Sequence, residues 1–232
     1  MNNELYDKKI KCPVCNNNFN TKKVRSSAIR TLKRDSDLCI HYKTVNPYFY
    51  GVFVCPKCGY AATETKFTLI KKSEISIIKE NIMPKWEYKD FGSERSLDDS
   101  IKAYKLALYE GNLLNWEKSY IGNVCLKIAW LYRYKNDKDM EDKFLKHALE
   151  CFEYSFSKES YEMESYVLAY LIGEINRRLH NYKEAINWFG IALKDPGIKR
   201  NRQIENLTRD QWRLASEEYK SNKGENNSDI LL

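Results

Sequence analysis

"KCPVCNNNFNTKKV" (residues 11–24) is answered by "FVCPKCGYAAT" (residues 53–63), and these two Cys-Pro-x-Cys pairs decide how the front of the chain folds. Zn2+ takes four soft ligands in a tetrahedron, and a two-residue spacer lets one tight turn present two thiolates to one ion. Two such turns complete a shell, which selects Cys12, Cys15, Cys55 and Cys58 as metal ligands. Pro13 and Pro56 fix φ after each first cysteine, while Gly59 and Asn16 follow the pairs where a positive φ is needed. Thirty-nine residues lie between Cys15 and Cys55, so an intervening subdomain must bring the turns together.

Other chemistries for the pairs fit less well. A thioredoxin-like Cys-x-x-Cys opens a long helix, but "NNNFN" and "GYAAT" follow here. A catalytic zinc needs an open position and a nearby base, and no His-Glu-x-x-His or His-x-Glu motif is present. Iron in a rubredoxin-like site uses the same four thiolates, so spacing alone leaves zinc and iron both open. Cys39 and His41 offer a spare Cys-x-His pair, while Cys125 and Cys151 fall in apolar helical patterns and read as core.

Around the ligands, "YFYGVFV" (residues 48–54) reads as a strand delivering the second pair, with partners expected in residues 38–45 or 62–70. Arg34 to Asp37 reads as a polar turn, and Arg30, Asp35, Asp37 and Tyr42 form a candidate polar site beside the metal. Residues 1–72 hold fourteen Lys and Arg against five Asp and Glu, within a chain of net charge +7. A basic front of this kind makes nucleic acid a possible partner through residues 22–34.

The order "CPVC", "VRSSAIR", "RDSD", "HYKTVNPYFY" and "VCPKCGYAA", followed by helices, resembles a bacterial domain-of-unknown-function family. That resemblance covers roughly residues 10–215 and is specific in its first 65 or so. It implies an N-terminal zinc module held by Cys12, Cys15, Cys55 and Cys58, with tetratricopeptide-like helices behind it. Members usually carry Gly after the first pair, where this chain has Asn16. The family supplies no activity to carry over.

Behind the module, Ser73 is expected to cap a connector helix ending before Pro84, and "PKWEYKDFGSERS" (residues 84–96) reads as a linker pinned by Trp86, Tyr88 and Phe91. Aligning "LDDSIKAYKLALYEG", "MEDKFLKHALECFEY" and "NYKEAINWFGIALKDP" superposes Ala107, Ala148 and Ala192, at spacings of 41 and 44 residues. Gly173, Ala185, Phe189, Ala192 and Pro196 fit the tetratricopeptide pattern. The expected fold class is therefore α+β, mostly α. Its expected parts are a zinc-ribbon-like module (1–72), a connector helix and linker (73–96), helical repeats with a capping helix (97–220) and a disordered tail (221–232).

A helical stack of this kind offers a concave face to a peptide. Tyr120, Trp130, Tyr134, Tyr166, Tyr170 and Arg177 are the candidate groove residues. With neither an export signal nor an apolar run near the roughly 18 residues of a membrane span, a cytoplasmic protein that avoids membranes is expected. The preferred function is a non-enzymatic, zinc-binding scaffold or adaptor for a protein or peptide; nucleic-acid binding is the alternative.

Overall fold

The computed structural model of the chain describes residues 4–159 and 163–228. Two antiparallel hairpins carry the cysteines. In the first, β1 (Leu5–Lys11) pairs with β2 (Asn18–Val24) from Leu5↔Val24 to Lys11↔Asn18, leaving Cys12 to Asn17 as the connecting turn. In the second, β5 (Val52–Val54) pairs with β6 (Ala61–Thr63), ending at Val54↔Ala61. Between them, β3 (Thr31–Arg34) pairs with β4 (Ile40–Tyr42), with an irregularity at Leu32. A short helix, α1 (Glu64–Phe67), and the connector α2 (Lys72–Asn81) follow.

Six longer helices follow among the described residues: α3 (Leu97–Leu113), α4 (Lys118–Tyr134), α5 (Lys138–Lys158), α6 (Ser165–Arg178), α7 (Tyr182–Lys194) and α8 (Arg202–Ser228). Ser96 caps α3 by accepting the Asp99 N–H at 3.1 Å, and Asp98 and Asp99 set negative charge at its positive end. None of the described helices is long and apolar enough to cross a membrane.

The chain divides into two compact units, Met1–Arg34 with Ile40–Phe144, and Asp35–Cys39 with Leu145–Leu232. The division falls inside α5, and residues 84–96, where the boundary was expected, lie within the first unit. The physical reason is a shared core in the first unit. Leu114 and Trp116, just past α3, pack in one cluster with Cys12, Cys55, Cys58, Phe53, Tyr60 and Phe67. Hydrogen bonds fix the same junction: Glu110 accepts the Ala61 N–H at 3.0 Å, and the Tyr120 hydroxyl accepts the Thr63 N–H at 3.2 Å.

Three local expectations also change. Residues 47–50 form a 3-10 turn instead of the start of a strand, since Pro47 opens it and the Asn46 side chain accepts the Tyr48 N–H at 2.9 Å. Lys71 rather than Ser73 caps α2, and Glu74 accepts the Lys71 N–H at 2.7 Å. Helix α8 carries the backbone to Ser228, where a disordered tail was expected from 221; residues 229–232 lie outside the described part.

In the second unit α6 packs on α7 and α7 on α8. Gly173 admits the Phe189 ring so closely that an added Cβ would sit 2.7 Å from Cδ1. The tip Asp35–Cys39 belongs to this unit. Its Ser36 hydroxyl bonds Glu174 at 2.5 Å, the Tyr170 hydroxyl donates to the Ser36 carbonyl, and Leu38 packs against the Tyr166–Phe189 cluster.

Candidate metal centre

The two cysteine turns have the same construction. In the first, the Cys12 N–H donates to the Asn17 carbonyl and the Asn16 N–H to the Cys12 carbonyl, both at 2.9 Å. In the second, the Cys55 N–H donates to Tyr60 and the Gly59 N–H to Cys55, again at 2.9 Å. Asn16 (φ 58°) and Gly59 (φ 82°) take the left-handed conformation that closes each turn. Asparagine tolerates that region, which is why the absence of glycine after the first pair leaves the turn intact.

The four sulfurs converge, with every ligand atom within 4.8 Å of the others. Cys12 and Cys58 sulfurs stand 3.6 Å apart, and Cys15 and Cys55 likewise. A disulfide requires about 2.05 Å, so these are thiols. Thiolates at about 2.3 Å around a tetrahedral Zn2+ stand about 3.8 Å apart, so the residues present fit such an ion. Cys12, Cys55 and Cys58 are fully buried, and Cys15 is half-buried.

Proton sharing among these sulfurs gives the centre its electrostatic character. A hydrogen bond with Cys55 pushes the Cys12 thiol up to about 12, and one with Cys12 pushes Cys58 up. Cys55, which hydrogen bonds from Cys12 and Cys58 favour as the anion, is pulled down to about 2. Facing sulfurs so placed cannot all ionise against one another, and a divalent cation supplies the charge that lets them.

Trp86 closes the second turn from outside. Its indole N–H donates to the Pro56 carbonyl at 2.9 Å, and its ring lies so near Gly59 that an added Cβ would meet Cε3 at 2.5 Å. The expected linker anchors thus divide: Trp86 and the buried Phe91 pin the segment, whereas Tyr88 is 78% exposed.

Reasoning from sequence missed Arg95 and Glu110. Arg95 is buried and donates to the carbonyls of Phe91 (2.7 Å), Phe49 (3.2 Å) and Val52 (2.8 Å), tying the linker to the second hairpin. Burial lowers its pKa to about 10. Glu110 is wholly buried, its Oε1 has no hydrogen-bond partner, and burial raises its pKa well above the carboxylate range. A lone Arg in "GSERS" and a lone Glu in "LYEGN" gave no local signal.

The residues of the candidate polar site divide between the two units. Arg30 is exposed and donates to the Ser27 and Ile29 carbonyls, and Tyr42 stands edge-on to Tyr48. Asp35 and Asp37 group with the second unit, where buried Asp37 lies 3.5 Å from Arg178. Cys39 is buried in that same tip, and His41 sits in β4, edge-on to Tyr134. Cys125 is buried as expected, while Cys151 is half-buried.

The candidate groove residues are engaged in packing. In the first unit Tyr120 packs on Trp116, Trp130 is buried, and the Tyr134 hydroxyl donates to the Ile40 carbonyl at 2.5 Å. In the second, Tyr166 and Tyr170 are core, and Arg177 is ion-paired to Glu174 at 2.9 Å and Glu218 at 3.3 Å. Lys22 and Lys23 of the basic stretch are also paired, with Asp7 and Glu64.

Comparison with known proteins places the chain as follows. The family described as "Uncharacterized protein conserved in bacteria (DUF2225)" matches residues 5–215. An "Uncharacterized protein" of Borreliella burgdorferi is 27% identical over 147 residues, covering 53% of this chain and 51% of its own length. The chain thus spans about half the length of that curated relative. No solved structure matches.

Proposed function

The chain belongs to the DUF2225 family of bacteria, and we propose that it is a non-enzymatic scaffold whose first unit is held together by a structural Zn2+ on Cys12, Cys15, Cys55 and Cys58. One observation carries this reading: four cysteine sulfurs face one another inside the core that Leu114 and Trp116, just past α3, also enter. Four thiolates fill a tetrahedral shell, and a catalytic zinc keeps one position open. When bound, the ion would offset half of the thiolates' charge and crosslink the two hairpins. The protein's own groups set the rest: Asn16 and Gly59 close the turns, Trp86 covers one of them, and Arg95 ties on the linker.

In this proposal the helices, taken as tetratricopeptide-like repeats, receive a protein or peptide partner. The packed tyrosines leave that role to the outward faces, where Tyr154, Ile191 and Trp212 are exposed. The nucleic-acid reading loses Lys22 and Lys23 to their ion pairs. Hydrogen exchange of the full chain before and after treatment with a strong zinc chelator tests the structural part. Protection should vanish throughout the first unit, α3 and α4 included, while α6 to α8 keep theirs. Unchanged protection at β5, β6 and α3 after complete metal removal would overturn the scaffold's dependence on the centre.

A further inference from the structure

The segment "RSSAIRTLKR" (residues 25–34) stands apart from the rest of the first unit. Nine of its ten residues are exposed, Ala28 being the half-buried one, and it has four basic residues and no acidic one. Ile29 is 37% and Leu32 61% exposed. Strand β3 is exposed at all four positions and pairs with β4 alone among the described strands. Proteins usually protect an edge strand by charge, shortness or a bulge. Charge and a bulge are present here, yet two large apolar side chains are left in water beside them.

We propose that the outer edge of β3 is a docking site for an extended acidic peptide that adds to it as a third strand. Three features point to that occupant together. A strand with one neighbour offers main-chain donors and acceptors on its other side, as β-augmentation requires. Ile29 and Leu32 supply apolar contact beside that edge, and Arg25, Arg30 and Arg34 select carboxylate-bearing residues by charge complementarity. A membrane surface would use the charge and the apolar pair but leave the strand edge unsatisfied. Single-stranded nucleic acid would use the charge but seek exposed aromatic platforms, whereas nearby Tyr42 and Tyr48 are half-buried against each other. Four strand residues at about 3.4 Å each give the peptide a contact of about 14 Å. The inference goes beyond the scaffold reading and does not depend on the metal's identity.

The test uses the full-length protein and a fluorescein-labelled heptapeptide of alternating Glu and Val, followed by fluorescence anisotropy and amide exchange. Saturable binding is expected, with new protection at residues 31–34. N-methylation of alternate peptide amides should abolish binding, because it removes the ladder bonds without touching the protein. Arg30→Glu and Leu32→Ser, both at exposed positions, should each weaken binding about tenfold or more, equivalent to about 1.4 kcal/mol. Equal binding of the N-methylated peptide would overturn strand addition. So would an absence of heptapeptide binding, or protection of residues 31–34 only by phosphatidylserine vesicles or an oligothymidylate, which would assign the surface to a membrane or nucleic acid.

Discussion

Gly59→Ala should destabilise the first unit for two separable reasons. The residue sits at φ 82°, where an L side chain costs roughly 1–2 kcal/mol. The added methyl also meets Trp86 Cε3 at 2.5 Å and Cδ2 at 2.6 Å, so the indole must leave its place and its bond to Pro56, which contributes about 1 kcal/mol. A total of about 2–3 kcal/mol corresponds to a fall of roughly 4–12 °C in the melting transition of this unit. Gly190→Ala is the internal control, since nothing lies within 4 Å of its added Cβ in α7. There the change from glycine to alanine in a helix should stabilise by about 0.5–1 kcal/mol. Differential scanning calorimetry of the metal-loaded proteins reads both. A Gly59→Ala variant melting with the wild type, or both variants shifting in one direction, would refute the reasoning.

Glu110 makes a prediction about pH. Its folded-state pKa is raised, so its contribution is fully present below the ordinary glutamate range and is lost as pH rises through the folded value. Glu110→Gln keeps an acceptor for the Ala61 N–H and should remove that part of the slope in urea midpoints between about pH 5 and 8; an unchanged slope would count against a neutral Glu110. Arg95→Met should cost about 3 kcal/mol or more in urea unfolding, because three carbonyls lose a charged donor, and a cost below about 1 kcal/mol would contradict the hub. A fragment beginning at residue 97 should aggregate or show no cooperative melt by circular dichroism, since Leu114 and Trp116 lose the cluster they pack in. Cys151→Ser, half-buried on α5, should change the melting free energy by less than about 1 kcal/mol.

The four-cysteine cluster was legible because its constraint is local: two cysteines per turn and a left-handed closing residue are written in six or seven consecutive residues. The alanines at 107, 148 and 192 were legible too, and all three are fully buried. Strands β1 and β2 were not. "LYDKKIK" and "NFNTKKV" are rich in lysine, and their order depends on partners far away, such as Lys8 and Lys23 on Glu64. The division into units was illegible for the same reason. A linker rich in polar residues reads as a boundary, but Arg95 stitches that linker down and Glu110 and Tyr120 fasten the next helices to β6. The tip Asp35–Cys39 reads as a surface turn, and Tyr170, Glu174 and Arg178, more than 130 residues later, show why Ser36 stands there. The tyrosine stripe was visible in the sequence, but its use in packing depends on neighbours that periodicity does not name.

Native mass spectrometry of the full chain, purified without chelator, tests the central claim most directly. The account predicts one Zn2+ per chain in the wild type, retained in Cys151→Ser and lost in Cys55→Ser. A folded wild-type chain carrying no metal, or a Cys55→Ser chain that keeps its zinc, would contradict it.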